Sequence, residues 1–118
     1  MTSEIKFTQQ VQRITATTTQ PLTQALRVNG AKQLDLMLSC PSLTGTSPTL
    51  LVGIYTSMQN DNEDAWALIG TFTQVTSANK YYALTVTGVL KYVRYYAELG
   101  GTGSPTATFD ISGYARDA

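Results

Sequence analysis

From Leu22 onward, apolar and polar residues alternate along most of the chain. Leu34, Leu36, Leu38 and Cys40 share one face, opposite Gln33, Asp35, Met37 and Ser39. Leu50, Val52 and Ile54 alternate with Leu51, Gly53 and Tyr55, and Tyr82, Leu84 and Val86 repeat the pattern. Val93, Tyr95, Ala97 and Leu99 oppose Tyr92, Arg94, Tyr96 and Glu98; Ala107, Phe109, Ile111 and Gly113 oppose Thr106, Thr108, Asp110 and Ser112. A period of two is the mark of a strand, whose successive side chains point to opposite faces. No stretch of about ten residues carries the 3.6-residue apolar period of a helix. Leu26 and Val28 form a further short strand before the turn signal Asn29-Gly30. The polar loop Gln59 to Asp64 leads into Trp66, Leu68 and Gly70, and Phe72 and Val75 bracket another bend. The reading is all-β: an antiparallel β-sandwich of about eight strands, over residues 21–118. Residues 1–20, rich in Thr and Gln with sparse apolar anchors at Ile5, Phe7, Val11 and Ile14, read as an extended N-terminal arm or an edge strand.

Two segments echo each other. Thr44-Gly45-Thr46-Ser47-Pro48-Thr49 follows the first Leu-rich run, and Gly101-Thr102-Gly103-Ser104-Pro105-Thr106 follows the run ending at Leu99. Proline presets φ and glycine tolerates positive φ, so each segment reads as the turn of a hairpin. One hairpin design is therefore expected twice, once in each half.

At 118 residues the chain is the size of one domain with its own core. No apolar run approaches the roughly 20 residues of a membrane-spanning helix, and the first residues lack the pattern of a signal peptide. Eight basic and eight acidic residues cancel and are scattered, so the basic stripe of a nucleic-acid binder is missing. Only 14% of residues are charged, below the usual quarter or so. Thr and Ser supply the polarity instead. Such a surface suits strands and suits contact with another protein, because few charges need desolvation.

The chain has no histidine and one cysteine, which rules out Ser-His-Asp and Cys-His catalysis, His-based metal sites and an internal disulfide. Cys40 reads as a small buried hydrophobe. The acidic loop Asp61-Asn62-Glu63-Asp64 lacks the spacing and the Gly of an EF-hand, and reads as a solvated loop. Asp35, Glu98 and Asp110 lie on outward strand faces with nothing to converge them into a hydrolytic pair. No enzyme activity, cofactor or metal is expected. The aromatics offer more. One member each of Tyr81-Tyr82 and Tyr95-Tyr96 must point outward, and Tyr92, Arg94 and Tyr96 share a face as an expected exposed anchor strip.

The order of these motifs from Leu34 to Ala115 carries a resemblance. A Leu-alternating strand and Thr44-Gly45-Thr46-Ser47-Pro48-Thr49-Leu50 precede a polar loop before Trp66 and Leu68-Ile69-Gly70-Thr71-Phe72. Then come Leu90-Lys91-Tyr92-Val93-Arg94-Tyr95, Gly100 to Thr106, and Phe109-Asp110-Ile111-Ser112-Gly113. This resembles the small β-sandwich capsid decoration, or cement, proteins of tailed bacteriophages. The resemblance implies a jelly-roll-like sandwich on the outside of the virion, made in the host cytoplasm. It implies binding to the major capsid protein as a homo-oligomer, a trimer or a dimer, and stabilisation of the mature head. On this reading Ile5, Phe7, Val11 and Ile14 of the arm, with Tyr92, Arg94 and Tyr96, are the expected capsid or subunit interface. A carbohydrate-binding or adhesion module on a virion or tail is the alternative, with the outward tyrosines as stacking platforms.

Overall fold

The computed structural model describes residues 2–6, 11–28 and 31–116. Among these, the chain forms eight strands and a single turn of 3-10 helix, Leu22–Gln24. The strands are β1 (Thr2–Lys6), β2 (Gln12–Ile14), β3 (Thr18–Thr19), β4 (Leu26–Arg27), β5 (Gln33–Ser57), β6 (Ala67–Thr71), β7 (Lys80–Thr87) and β8 (Tyr92–Arg116). Every pairing between them is antiparallel. The all-β antiparallel fold expected from the alternation is the one observed. The turn signal Asn29-Gly30 lies outside the described residues.

Two strands of 25 residues each, β5 and β8, make the frame. They pair with each other along their whole length, from Gln33↔Arg116 to Ser57↔Tyr92, as one long ribbon. The ribbon bends at its middle, and its two halves become the central strands of two layers. In the first layer, residues 33–43 and 106–116 are flanked by β7 on one side and by β1 and β2 on the other. In the second, residues 49–57 and 92–100 are flanked by β6 on one side and by β3 and β4 on the other.

This arrangement corrects the expectation of two hairpins. The two Ser-Pro-Thr segments are not hairpin turns; each strand continues through its own while it bends. They lie opposite each other at the bend, with Thr44↔Thr106, Thr46↔Thr102 and Thr49↔Gly100 as partners and the register shifting between them. The reason for the echo is local two-fold symmetry. Ser47 and Ser104 both hold positive φ, 49° and 54°, and Gly45 and Gly101 each face the other strand's proline. A Cβ on Gly45 would meet Pro105 Cα at 2.9 Å, and one on Gly101 would meet Pro48 Cα at 2.9 Å. Two strands turning the same corner against each other need the same chemistry, so the same residues recur.

The inner faces of the layers close on one core. Leu34, Leu36, Leu38, Cys40, Leu50, Val52, Ile54, Val93, Tyr95, Ala97, Ala107, Phe109 and Ile111 are all buried, as the alternation predicts. Tyr95 and Phe109, one from each half of β8, meet edge to face with ring centroids 5.4 Å apart. Phe72 and Val75 fill the core from the segment after β6. Gly70 in β6 leaves room for Val86 and Leu84 of β7, in the opposite layer. Cys40 is fully buried and desolvation pushes its thiol up, consistent with a small hydrophobe.

The described part of the first 20 residues lies along the sheet. β1 and β2 pair with the end of β8, and Thr18↔Ala97 and Thr19↔Tyr96 attach β3 to its start. Of the two readings for this stretch, arm or edge strand, the described residues take the second: β1, β2 and β3 are edge strands, with a short irregular link between β2 and β3. The reason is that β8 has a free edge in both layers, and pairing satisfies its backbone N–H and C=O groups. Of the arm's expected interface residues, Ile14 belongs to the core, Val11 is 54% exposed, Ile5 pairs with Gly113, and Phe7 lies outside the described residues.

Candidate functional site

The strip expected on the outer face of β8 exists, but its centre is covered. Alternation places Tyr92, Arg94 and Tyr96 together, opposite Ser57, Tyr55 and Gly53 of β5. Tyr92 is half-buried, with Lys91 Nζ 5.6 Å from its ring centroid. Arg94, expected to be exposed, is only 5% so. The loop after β5 covers it. Asn62 makes the reversal: its side-chain Oδ1 accepts from the Asp64 N–H at 2.9 Å and its carbonyl from the Ala65 N–H at 3.3 Å. That turn brings Glu63 and Trp66 over the sheet. Arg94 Nη2 donates to Glu63 Oε2 at 2.8 Å, and the guanidinium carbon sits 4.6 Å from the Trp66 ring centroid. Arg94 Nη1 donates to the Gln20 carbonyl at 3.3 Å. Ion pair, cation–π stack and backbone acceptor together offset the cost of burying the charge.

Gln20 is the second piece missed by the sequence reading. It is 1% exposed and extends the pairing of β3 by one residue in a mixed way. Its N–H donates to the Tyr95 carbonyl at 3.0 Å, while its side-chain Oε1 accepts from the Tyr95 N–H at 3.1 Å. Its Nε2 donates to the Gln24 carbonyl at 3.1 Å. A glutamine in a Thr- and Gln-rich stretch carries no signal for this role. Gln20→Ala removes the acceptor of a buried N–H and is expected to cost about 1–3 kcal/mol, read as a lower urea midpoint at unchanged slope.

Around the covered arginine lies an open cleft of about 270 Å³, lined by Thr19, Tyr55, Glu63, Trp66, Arg94 and Tyr96. The Tyr55 and Tyr96 rings stand edge to face, 6.3 Å apart and both half-buried. Beside them Gly53 contributes no side chain; a Cβ there would meet Leu68 Cδ1 at 3.0 Å and Tyr55 Cε1 at 3.5 Å. A one-residue irregularity between Ile54 and Tyr55 in the β5–β6 pairing sets Leu68 opposite Tyr55 at this rim.

The hydrogen bond from Arg94, and secondarily its charge, hold the Glu63 carboxyl below its ordinary value of 4.5. A carboxyl lowered in the folded state adds stability above its unfolded value, and that contribution is lost as pH falls through the folded value. Glu63→Gln is therefore expected to flatten the acid limb of thermal stability below about pH 4.5, measured by melts across a pH series.

The outer face of the first layer differs. Met37, Tyr81 and Tyr114 are exposed there, around a polar cluster in which Asp35 accepts from Gln33 and Thr85 and pairs with Arg116. Those hydrogen bonds, that of Gln33 first, hold the Asp35 carboxyl below its ordinary value. Asp110 sits opposite Ser39, four residues along β5 from Asp35, or about 13 Å away. Glu98 is in the other layer, opposite Leu51. These carboxylates do not form the paired geometry of a glycoside hydrolase, roughly 5–9.5 Å apart. Among the described residues no three His, Cys, Asp or Glu side chains gather where they could hold a metal ion.

No protein-family model matches the chain, and no curated protein does. The architecture does have a counterpart among solved structures. It is similar to that of a prophage-derived protein. The crystal structure of SPBc2 prophage-derived protein YomS matches 96% of this chain over 93% of its own length, with a TM-score of 0.52 and 13% identity. At that identity few side chains are shared, and the likeness is one of fold.

Proposed function

We propose that this chain is a structural protein of a tailed-phage particle, one that attaches to the outer surface of the capsid and stabilises the mature head. The observation that carries this reading is the fold likeness to a prophage-derived protein over nearly the whole of both chains. The motif order from Leu34 to Ala115 supports the same assignment. So does the surface: weakly charged, with Met37, Tyr81 and Tyr114 exposed on one sheet face. Tyrosine and methionine are enriched in protein interfaces, and a sparse complement of charges lowers the desolvation cost of contact. A protein that binds the expanded shell and not its precursor stabilises the former by mass action, and many identical weak contacts sum over the lattice.

The test is co-sedimentation with phage heads that lack the protein, at physiological salt, with tails as a parallel arm. Saturable binding to heads and a raised disruption temperature of the loaded particles are expected. Binding to tails alone, or to neither, would overturn the capsid assignment. Met37→Asp with Tyr114→Asp is expected to weaken head binding at least tenfold while leaving the fold intact.

A further inference from the structure

The cleft on the second layer is not needed for attachment through the first, and its chemistry points elsewhere. We propose that the cleft lined by Tyr55, Trp66 and Tyr96 is a binding site for a neutral glycan, taking one or two hexopyranose rings. Four observations carry this. Three half-buried aromatic side chains from β5, β8 and the loop between β5 and β6 meet at one open depression. Such rings offer flat apolar area to the C–H face of a sugar, as the same rings do at protein interfaces. The cleft has no net charge: its one cation, Arg94, is taken up by Glu63, the Trp66 ring and the Gln20 carbonyl. That argues against a phosphate or carboxylate ligand, which would need a free guanidinium fork. The other polar groups at the wall suit the hydroxyls of a sugar: the Thr19 and tyrosine hydroxyls donate and accept, and the Glu63 carboxylate, bonded to Arg94 through Oε2, accepts. Finally, the volume, about 270 Å³, lies just below the range of drug-sized sites and suits a small ring.

The lone tryptophan of the chain sits in the wall, so its fluorescence reports occupancy directly. The experiment is an array of neutral hexose and N-acetylhexosamine oligosaccharides probed with the intact protein, followed by fluorescence titration with the free form of the best hit. A saturable change with a Kd of about 1 mM or tighter is expected. Tyr96→Ala and Tyr55→Ala should each weaken it at least tenfold, with folding checked by circular dichroism. Gly53→Ala keeps every ring and should weaken binding by crowding Leu68 and Tyr55 at the rim. Tyr81→Ala, on the other layer, should leave it unchanged. No array binding, binding that survives all three cleft variants, or binding lost in EDTA and hence owed to a cation, would each overturn the proposal. So would a preference for proline-rich peptides over every sugar. Head binding that persists while glycan binding fails would remove this inference and leave the capsid assignment standing.

Discussion

Gly113→Ala is expected to be among the most damaging single substitutions in this chain, costing about 3 kcal/mol and lowering the melting temperature on the order of 10 °C. Gly113 lies inside β8, between Leu36 of β5 and Ile5 of β1. A Cβ on it would fall onto the Asp35 carbonyl oxygen, well inside contact, with Leu36 Cα 2.9 Å away. Those atoms are backbone of a central strand, and they cannot rotate aside as a side-chain end can. Relief requires the ribbon to open at the point where β1 also attaches. The measurement is a thermal melt of the purified variant followed in the far ultraviolet; a melting temperature within about 3 °C of the parent would show that the ribbon yields more easily than its packing implies.

The second large effect belongs to the bend. Gly45→Ala and Gly101→Ala are each expected to cost about 2–3 kcal/mol. Gly45 has φ of 125° and Gly101 of 112°, a region that side-chain-bearing residues rarely enter, and each would press its Cβ against the backbone of the opposite proline. Because both act on one corner, the double variant should lose less than the sum of the two. The serines give a contrast. Ser47 and Ser104 hold the left-handed conformation with a Cβ, at a cost of about 1–2 kcal/mol, which the extra unfolded-state entropy of glycine largely cancels on replacement. Ser47→Gly and Ser104→Gly should therefore change stability by less than about 1 kcal/mol. Equal losses at glycines and serines, read from urea midpoints, would contradict the crossed-corner geometry.

The inward faces were legible from the alternation because burial of one strand face needs nothing but period two. Leu34 to Cys40, Leu50 to Ile54, Val93 to Ala97 and Ala107 to Ile111 all lie where that period puts them. The outward identity of Tyr81 and the inward one of Tyr95 followed from the same rule. The candidate cleft was half legible. Arg94 and Tyr96 were singled out as neighbours on one face, but Trp66, Glu63 and Tyr55 reach them from a loop and a strand far off in the chain. Only the Asn62 turn and the β5–β8 register bring them there.

The echo of Ser47-Pro48-Thr49 in Ser104-Pro105-Thr106 marks the division most clearly. Proline, glycine and a small polar residue mark a sharp change of chain direction, and the chain does change direction at both places. Local chemistry alone cannot say whether the chain after such a point folds back on the strand before it or continues beside a distant partner, because the same φ values serve both. That choice depends on what lies across: each Gly-to-Pro contact is completed by the other segment, from the far half of the chain. Strands, faces and the places where direction changes follow from residue pattern alone, because each depends only on near neighbours in the chain. Which strands meet depends on residues far apart in the chain, and that pairing makes one folded ribbon of two expected hairpins, selects the edge strand over the arm for the described part of residues 1–20, and builds a cleft around an arginine expected to be bare.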